Sequence, residues 1–261
     1  MSGHLIVNAD DLGASEGVDR GIEECHRRGV VTSASLMVTG VAAEHAVALS
    51  RANPDLAVGL HWDVVGEDQR EFDLHDERAV RREFAAQLER FHELMGRPPT
   101  HVDSHRHMHL KAEVNALFSE LVAPSGVPLR GDGRVAFIGG FYAQWEWGVT
   151  ELEHISVAAL QRILRNEVGD GWTEVSCHPG YITPGYRSTY SGEREVEIRT
   201  LTDPRISETI AHLGLELGSY AAYRAPPSEP CPRCWWSGRT PTTRRWGAAA
   251  RCASTRWAAI A

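Results

Sequence analysis

A chain of 261 residues, 42% of them apolar, is long enough to bury a full core, as one large α/β domain or two small ones, and its short connections favour one. A formal net charge of −8 excludes nucleic acid as the main partner, because neutralising phosphates takes clustered Lys and Arg. No run approaches the roughly 18 apolar residues of a membrane span, and the first eleven residues reach an acidic pair too soon for a secretory signal, so a soluble cytoplasmic protein is expected.

The apolar run 5–8 ends in Asn8, Ala9, Asp10, Asp11, Leu12 and Gly13, which reads as a buried strand running into a polar loop. Ser15 is placed to cap a helix carrying Val18, Ile22 and Cys25 at helical spacing, with Gly29 as its stop. A strand over 30–38, a helix over 42–52 and a strand over 56–60 that closes on His61 repeat the βα alternation. The stretch 76–95 puts Val80, Phe84, Leu88 and Phe91 on one helical face and ends at Gly96. A strand over 101–104, a helix over 113–123, a strand over 128–130 and an aromatic loop over 141–147 come next. A helix over 156–168, a strand over 173–177, one or two helices over 193–213 and a strand over 216–219 complete the pattern. Repeated βα units imply a parallel sheet, closed as a barrel or open and doubly wound.

Five cysteines, at Cys25, Cys177, Cys231, Cys234 and Cys252, are too scattered and odd in number for a disulfide framework, which suits a reducing compartment. The charge is split: from Arg224 onward seven Arg face the single acid Glu229, leaving the tail near about +6 and the preceding body near about −14. The tail over 224–261 holds four of the eight Trp and no periodicity, so a degenerate or disordered extension of a domain spanning 1–223 is expected. Cys231 and Cys234 have the spacing of half a zinc knuckle, but with Cys252 as the remaining tail thiol and no tail His the set is incomplete.

Asp10 and Asp11, His61, His105 and His178 each follow an expected strand, where a barrel gathers its loops at one rim. Amide hydrolysis needs a Lewis acid, a base for water and an acid for the leaving amine, and carboxylates with imidazoles supply such a site. Taken singly, a His after a strand or an Asp-Asp pair is more often a loop or cap residue; the coincidence carries the inference. The densest cluster is His101, Asp103, His105, His107 and His109. If extended, these five share one face at about 6.6 Å intervals, so one metal reaches at most two, with Asp103 free to orient an imidazole.

The strings LIVNADDLG at 5–13, VVTSASLMVTG at 30–40, AVGLH at 57–61, RPPTHVDSHRHMH at 97–109 and EVSCHPGY at 174–181 resemble the YdjC-like carbohydrate deacetylases, the chitooligosaccharide deacetylase-like family. The resemblance spans roughly 3–223 and excludes the tail. It implies a single-domain α/β protein, a distorted (β/α) barrel of the glycoside hydrolase/deacetylase type, that removes an acetyl group from an N-acetylated sugar with one divalent metal ion, zinc or magnesium. Carried onto matching positions, Asp11, His61 and His105 are the metal ligands, Asp10 the general base and His178 the general acid, with Arg130 supporting Asp10. Arg194 and Glu197 match an Arg-x-x-Glu pattern, although a salt-bridged helix face would look the same. The segment 62–73 is shorter than the family's usual one. The partner is thus an acetylated sugar, with no nucleic acid and no membrane span; a homo-oligomer is compatible. A metal-dependent phosphoesterase using His107 and His109 for a second metal, and a barrel that has lost activity, are the competing readings.

Overall fold

The computed structural model describes residues 3–66, 70–146 and 148–224; the tail beyond, with its Trp residues and the Cys231–Cys234 spacing, lies outside the described residues. Among the described residues seven strands and seven α-helices follow in the order β1 (Gly3–Leu12), α1 (Glu16–Arg28), β2 (Ser33–Leu36), α2 (Ala43–Ala52), β3 (Ala57–Trp62), α3 (Glu77–Met95), β4 (Val102–Ser104), α4 (Asn115–Val122), β5 (Ala136–Ile138), α5 (Val157–Asn166), β6 (Gly171–Cys177), α6 (Gly192–Leu201), α7 (Pro204–His212) and β7 (Glu216–Gly218). All strand pairs are parallel, in the order β4-β3-β2-β1-β6-β5, with β7 added beside the start of β1. Helices cover the outside, so the outward side chains Leu5, Val7 and Ala9 of β1 and Val58 and Leu60 of β3 pack with Val18, Ile22 and Cys25 of α1 in the main core. Two ring pairs tie α3 and α4 to this layer, Phe118 lying 4.8 Å from Trp62 and 5.7 Å from Phe84, and Phe72 before α3 lies 5.9 Å from Trp62, all near edge-to-face, each worth about 0.5–1.5 kcal/mol beyond its buried area.

The sheet curls. Strands β4 and β6 are separated by three others in the sheet order, yet Asp103 of β4 and Glu174 of β6 both contact the guanidinium of Arg130. The interior of this half-barrel is polar near the C-terminal strand ends and apolar at the opposite end, where Ile6, Ala57, Val135, Tyr220 and Tyr223 form a small plug with Trp172 against it. Gly59 sits at the join: a Cβ there would meet the His101 ring at 2.4–2.6 Å, so the ring can lie against the sheet only because position 59 has no side chain. Tyr220 stacks on the other face of His101, with centroids 3.9 Å apart and planes at 14°.

Local signals explain most element boundaries. Ser15 Oγ accepts from Val18 N, Asp76 Oδ1 from Ala79 N and Ser156 Oγ from Ala159 N, each satisfying an orphan donor of a first turn. Gly96 ends α3 in the left-handed conformation, and Pro204 at the first turn of α7 separates it from α6, so the stretch 193–213 is two helices. Three expectations are corrected and one element is added. β1 continues through Asp10 and Asp11 to Leu12 rather than stopping at residue 8, and the 30–38 strand shrinks to Ser33–Leu36. The 128–130 strand is one bridge, Leu129 to Val102, and β5 forms at Ala136–Ile138, where no element was expected. Among the described residues no helix is long and apolar enough to cross a membrane.

Residues Met1–Arg224 form one compact unit, and its closing pieces are β7 and the tyrosines after it. A chain ending at Arg224 should therefore keep its helical circular dichroism and melting temperature. One ending at Leu213, without β7, Tyr220 and Tyr223, should fail to melt cooperatively; equal stability of the two would contradict this account of the plug.

Candidate active site

Six side chains gather at the C-terminal ends of the parallel strands: Asp10 and Asp11 on β1, His61 on β3, His105 after β4, Arg130 after the Leu129 bridge and His178 after β6. Consecutive strand residues normally face opposite sides, so Asp10 and Asp11 should not both point inward. They do because Asp11 adopts φ 68° and the β1–β2 register shifts between Ala9 and Leu12, a local irregularity that turns the second carboxylate to the side of the first. A left-handed non-glycine residue costs roughly 1 kcal/mol or more, and such strain gathers at functional sites. The two other non-glycine residues with positive φ among those described, Arg106 and His107, also lie here.

Asp11 Oδ1 is 3.2 Å from His61 Nε2 and 3.1 Å from His105 Nδ1, and one ligand atom from each of the three lies within 4.8 Å of the others. His61 Nδ1 is 2.7 Å from Asp103, its register partner on β4, which commits the Nδ1 proton to that carboxylate and leaves Nε2 as the place for a metal or a second proton. Nε2 is buried and makes no hydrogen bond of acceptable geometry despite its nearness to Asp11. An orphaned imidazole nitrogen, facing a buried carboxylate and a second imidazole, suits a divalent cation. Burial pushes the His61 pKa down, but the Asp103 charge and hydrogen bond, with Asp11 and Asp10 adding, hold it well above the ordinary 6.5. The other Asp11 oxygen accepts from Arg194 Nη2 at 2.6 Å; burial raises the Asp11 pKa, and Arg194 with both imidazoles outweighs it and holds it well below 3.8.

Behind this trio the fully buried Arg130 forks onto Asp10 with two bonds of 2.7 Å. Its Nη2 also lies 2.8 Å from Asp103, and its Nε and Nη2 reach Glu174 at 2.6–3.2 Å. Tyr220 Oη donates to Glu174 at 2.7 Å, and Asn8 Nδ2 donates to Asp10 at 2.9 Å and to Ser35 Oγ at 2.7 Å. Burial alone would raise Asp10, and Arg130 brings it below its ordinary value. Glu174 stays above its own, since burial and the two neighbouring carboxylates outweigh the shared arginine.

His178 Nε2 lies 3.8 Å from Asp10 Oδ2. Its backbone N–H donates to Glu197, as does Tyr190 Oη, and its ring meets Tyr142 at 5.4 Å and Tyr190 at 5.6 Å. Burial pushes its pKa down to about 4 against the pull of Asp10 and Asp11, so the resting imidazole is neutral at pH 7. Arg194 and Glu197 are buried site residues rather than an exposed ion-paired face. The five-residue extended face at 101–109 does not form: the chain turns at His105 into a 3₁₀ segment, His105–Leu110, so only His101, Asp103 and His105 approach the interior along one strand direction. Glu174, Tyr220, Ser35 and Tyr142 were not anticipated; for Glu174 the available signal was a charge inside an otherwise half-apolar strand, where a buried parallel strand has no solvent for it.

The model of the YdjC-like protein family matches residues 4–212. The chain belongs to the YdjC-like family. Among relatives of this YdjC-like protein, the chitooligosaccharide deacetylase of Serratia marcescens is 36% identical over 258 residues, covering 83% of this chain and 97% of that one. A structure from Enterococcus faecalis V583, provisionally described as a cellobiose-phosphate cleavage protein, superposes with a TM-score of 0.71 at 25% identity over 85% of this chain and 98% of that one. A polysaccharide deacetylase of Bacillus cereus shares the fold, with a TM-score of 0.53 at 12% identity over 84% and 92% of the two chains.

Two outcomes follow for the YdjC-like chain. A cation bound at the trio would have to displace the proton favoured at His61 Nε2, so metal affinity should rise with pH above the ordinary imidazole value of 6.5; equal affinities by competition titration at pH 6 and pH 8 would refute that competition. Replacing Arg130 by Gln strands three buried carboxylates and should cost about 3–5 kcal/mol in denaturant unfolding. Protonation relieves stranded carboxylates, so that deficit should shrink below about pH 5, whereas a pH-independent loss would mean packing rather than charge.

Proposed function

We propose that this protein hydrolyses the N-acetyl group of an acetylated amino sugar, with Asp11, His61 and His105 holding one divalent cation, zinc or magnesium. The observation that carries the reading is the division of the adjacent carboxylates: Asp11 faces two imidazoles, while Asp10 faces Arg130 and His178. The deacetylase among its relatives supports the substrate class. When bound, the cation would supply Lewis-acid polarisation of the acetyl carbonyl.

The chain's own groups move the protons. Asp10, held in orientation by the Arg130 fork, takes a proton from the attacking water as its oxygen bonds to the acetyl carbon. His178 stands within reach of Asp10 and gains its proton only during turnover, since its resting ring is neutral. It delivers that proton to the departing nitrogen as the C–N bond breaks, giving acetate and a free amine. The tilt of its ring is set by Tyr142 and Tyr190, the latter anchored on Glu197.

A two-metal phosphoesterase finds less support. A second possible set, Asp10, His61 and Asp103, is already filled by the Arg130 guanidinium at 2.7–2.8 Å, whose charge opposes another cation. His109 spends Nδ1 on Ser104 at 2.6 Å and Nε2 on the Arg130 carbonyl at 3.1 Å, so neither nitrogen is left for a metal.

Incubation of the metal-loaded protein with chitooligosaccharides should release acetate, and sugar phosphates should release no phosphate. Elemental analysis should find one metal per chain; two would favour the phosphoesterase. Asp10→Asn should keep the metal and lower turnover by about 10²–10⁴, the scale of general base catalysis. Asp11→Asn should lose metal, with activity partly restored by excess cation. The reverse pattern would exchange the two roles.

A further inference from the structure

His105 is followed by two successive left-handed residues, Arg106 (φ 53°, ψ 26°) and His107 (φ 51°, ψ 33°). Two such residues in a row persist only where their surroundings hold them, and here the His107 ring packs against β5. That ring lies 5.3 Å from Phe137 at 71°, and the Phe137 ring in turn carries the Arg130 guanidinium at 4.9 Å. His107 thus stands one ring away from the Arg130–Asp10 pair.

Its nitrogens are unlike those of His109. His109 is fully buried with both nitrogens engaged, a structural role. His107 is half-buried, and among the described residues no hydrogen bond reaches either of its nitrogens. Nδ1 is enclosed without a partner, whereas Nε2 is not among the enclosed atoms. An enclosed donor with no acceptor is rarer and costlier than an enclosed lone pair, so the neutral ring keeps its proton on Nε2. The open edge of His107 therefore presents a donor to solvent, on a ring that packs against the same phenylalanine as Arg130. It belongs to neither cluster of possible metal ligands around Asp11 and Asp10.

We propose that His107 is a substrate-binding residue whose Nε2–H donates to an oxygen of the bound sugar next to the acetamido group. This rests on the deacetylase reading, to which it adds the group that seats the sugar. A positioned imidazole N–H suits a hydroxyl oxygen, which has lone pairs to accept it and needs no counter-charge.

The test uses the zinc-loaded full chain carrying Asp10→Asn, so that a short chitooligosaccharide persists during calorimetry. In that background His107→Asn, which tolerates the left-handed backbone but is too short to reach, should weaken binding by about 3- to 10-fold, the worth of one hydrogen bond. His107→Gln, whose amide nitrogen reaches near the Nε2 position, should recover most of it. With Asp10 restored, His107→Asn should raise KM by the same factor with kcat within about twofold, and zinc content and melting temperature should stay at the parent values. Equal affinity in all three proteins overturns the proposal, as does a parent that binds no sugar, or an Asn variant that loses zinc or melts lower while binding as tightly. His107-dependent sugar binding by a protein that releases no acetate would remove the deacetylase reading and leave the binding role standing.

Discussion

Arg130 lies in the middle of a parallel half-barrel, out of water, with carboxylates from three different strands around one guanidinium. Taking any of these groups from solvent alone would cost several kcal/mol, and the attraction between them offsets that cost only while the set is complete. The arrangement is all-or-none in consequence, and it dictates much of the interior. Ser35 donates to Asp103, Asn8 to Asp10 and Tyr220 to Glu174, and Gly59 makes room for the His101 ring that Tyr220 covers. A barrel filled with Leu and Val would be easier to stabilise. This one spends its centre on holding Asp10 and Asp103 ionised and aimed.

The neighbouring carboxylates illustrate how one strand end serves two purposes. Asp10 is matched to Arg130 from the barrel interior, and Asp11 to Arg194 from α6 outside it. Each aspartate therefore has its own counter-charge, delivered from a different direction, and the left-handed backbone at Asp11 makes the separation possible. The imidazoles follow the same economy of placement: Asp103 fixes His61, while Glu197 fixes the His178 backbone and, through Tyr190, the side of its ring.

The sequence displays the parts of this site that follow from local rules. Strand ends carrying Asp10, Asp11, His61 and His178 stand out because apolar runs stop at them, and the helices are marked by Ser15, Asp76 and Ser156, whose capping depends on neighbours within three residues. What it hides depends on distance or on an irregular backbone. Nothing near Glu174 reveals that an arginine 44 residues earlier will meet it, and Arg194 looks like any charge on a helix until α6 packs against the site. The row of His at alternate positions from 101 suggests one flat face, and the left-handed turn at Arg106 and His107 breaks that period, which no propensity predicts for those residue types. The tail beyond residue 224, expected from composition to be degenerate, lies outside the described residues.

The position of β7 bears on how the chain can be made. Strand β1 finds β2 for its later half within about thirty residues, but its residues His4–Ile6 pair with Trp172–Glu174 on one side and Glu216–Gly218 on the other. Until synthesis has passed residue 218, the central strand keeps an open backbone edge, the kind of edge that recruits other chains. A nascent chain of this protein therefore keeps this edge open to misassociation through most of its translation, and pausing between α6 and β7 would lengthen the interval of risk.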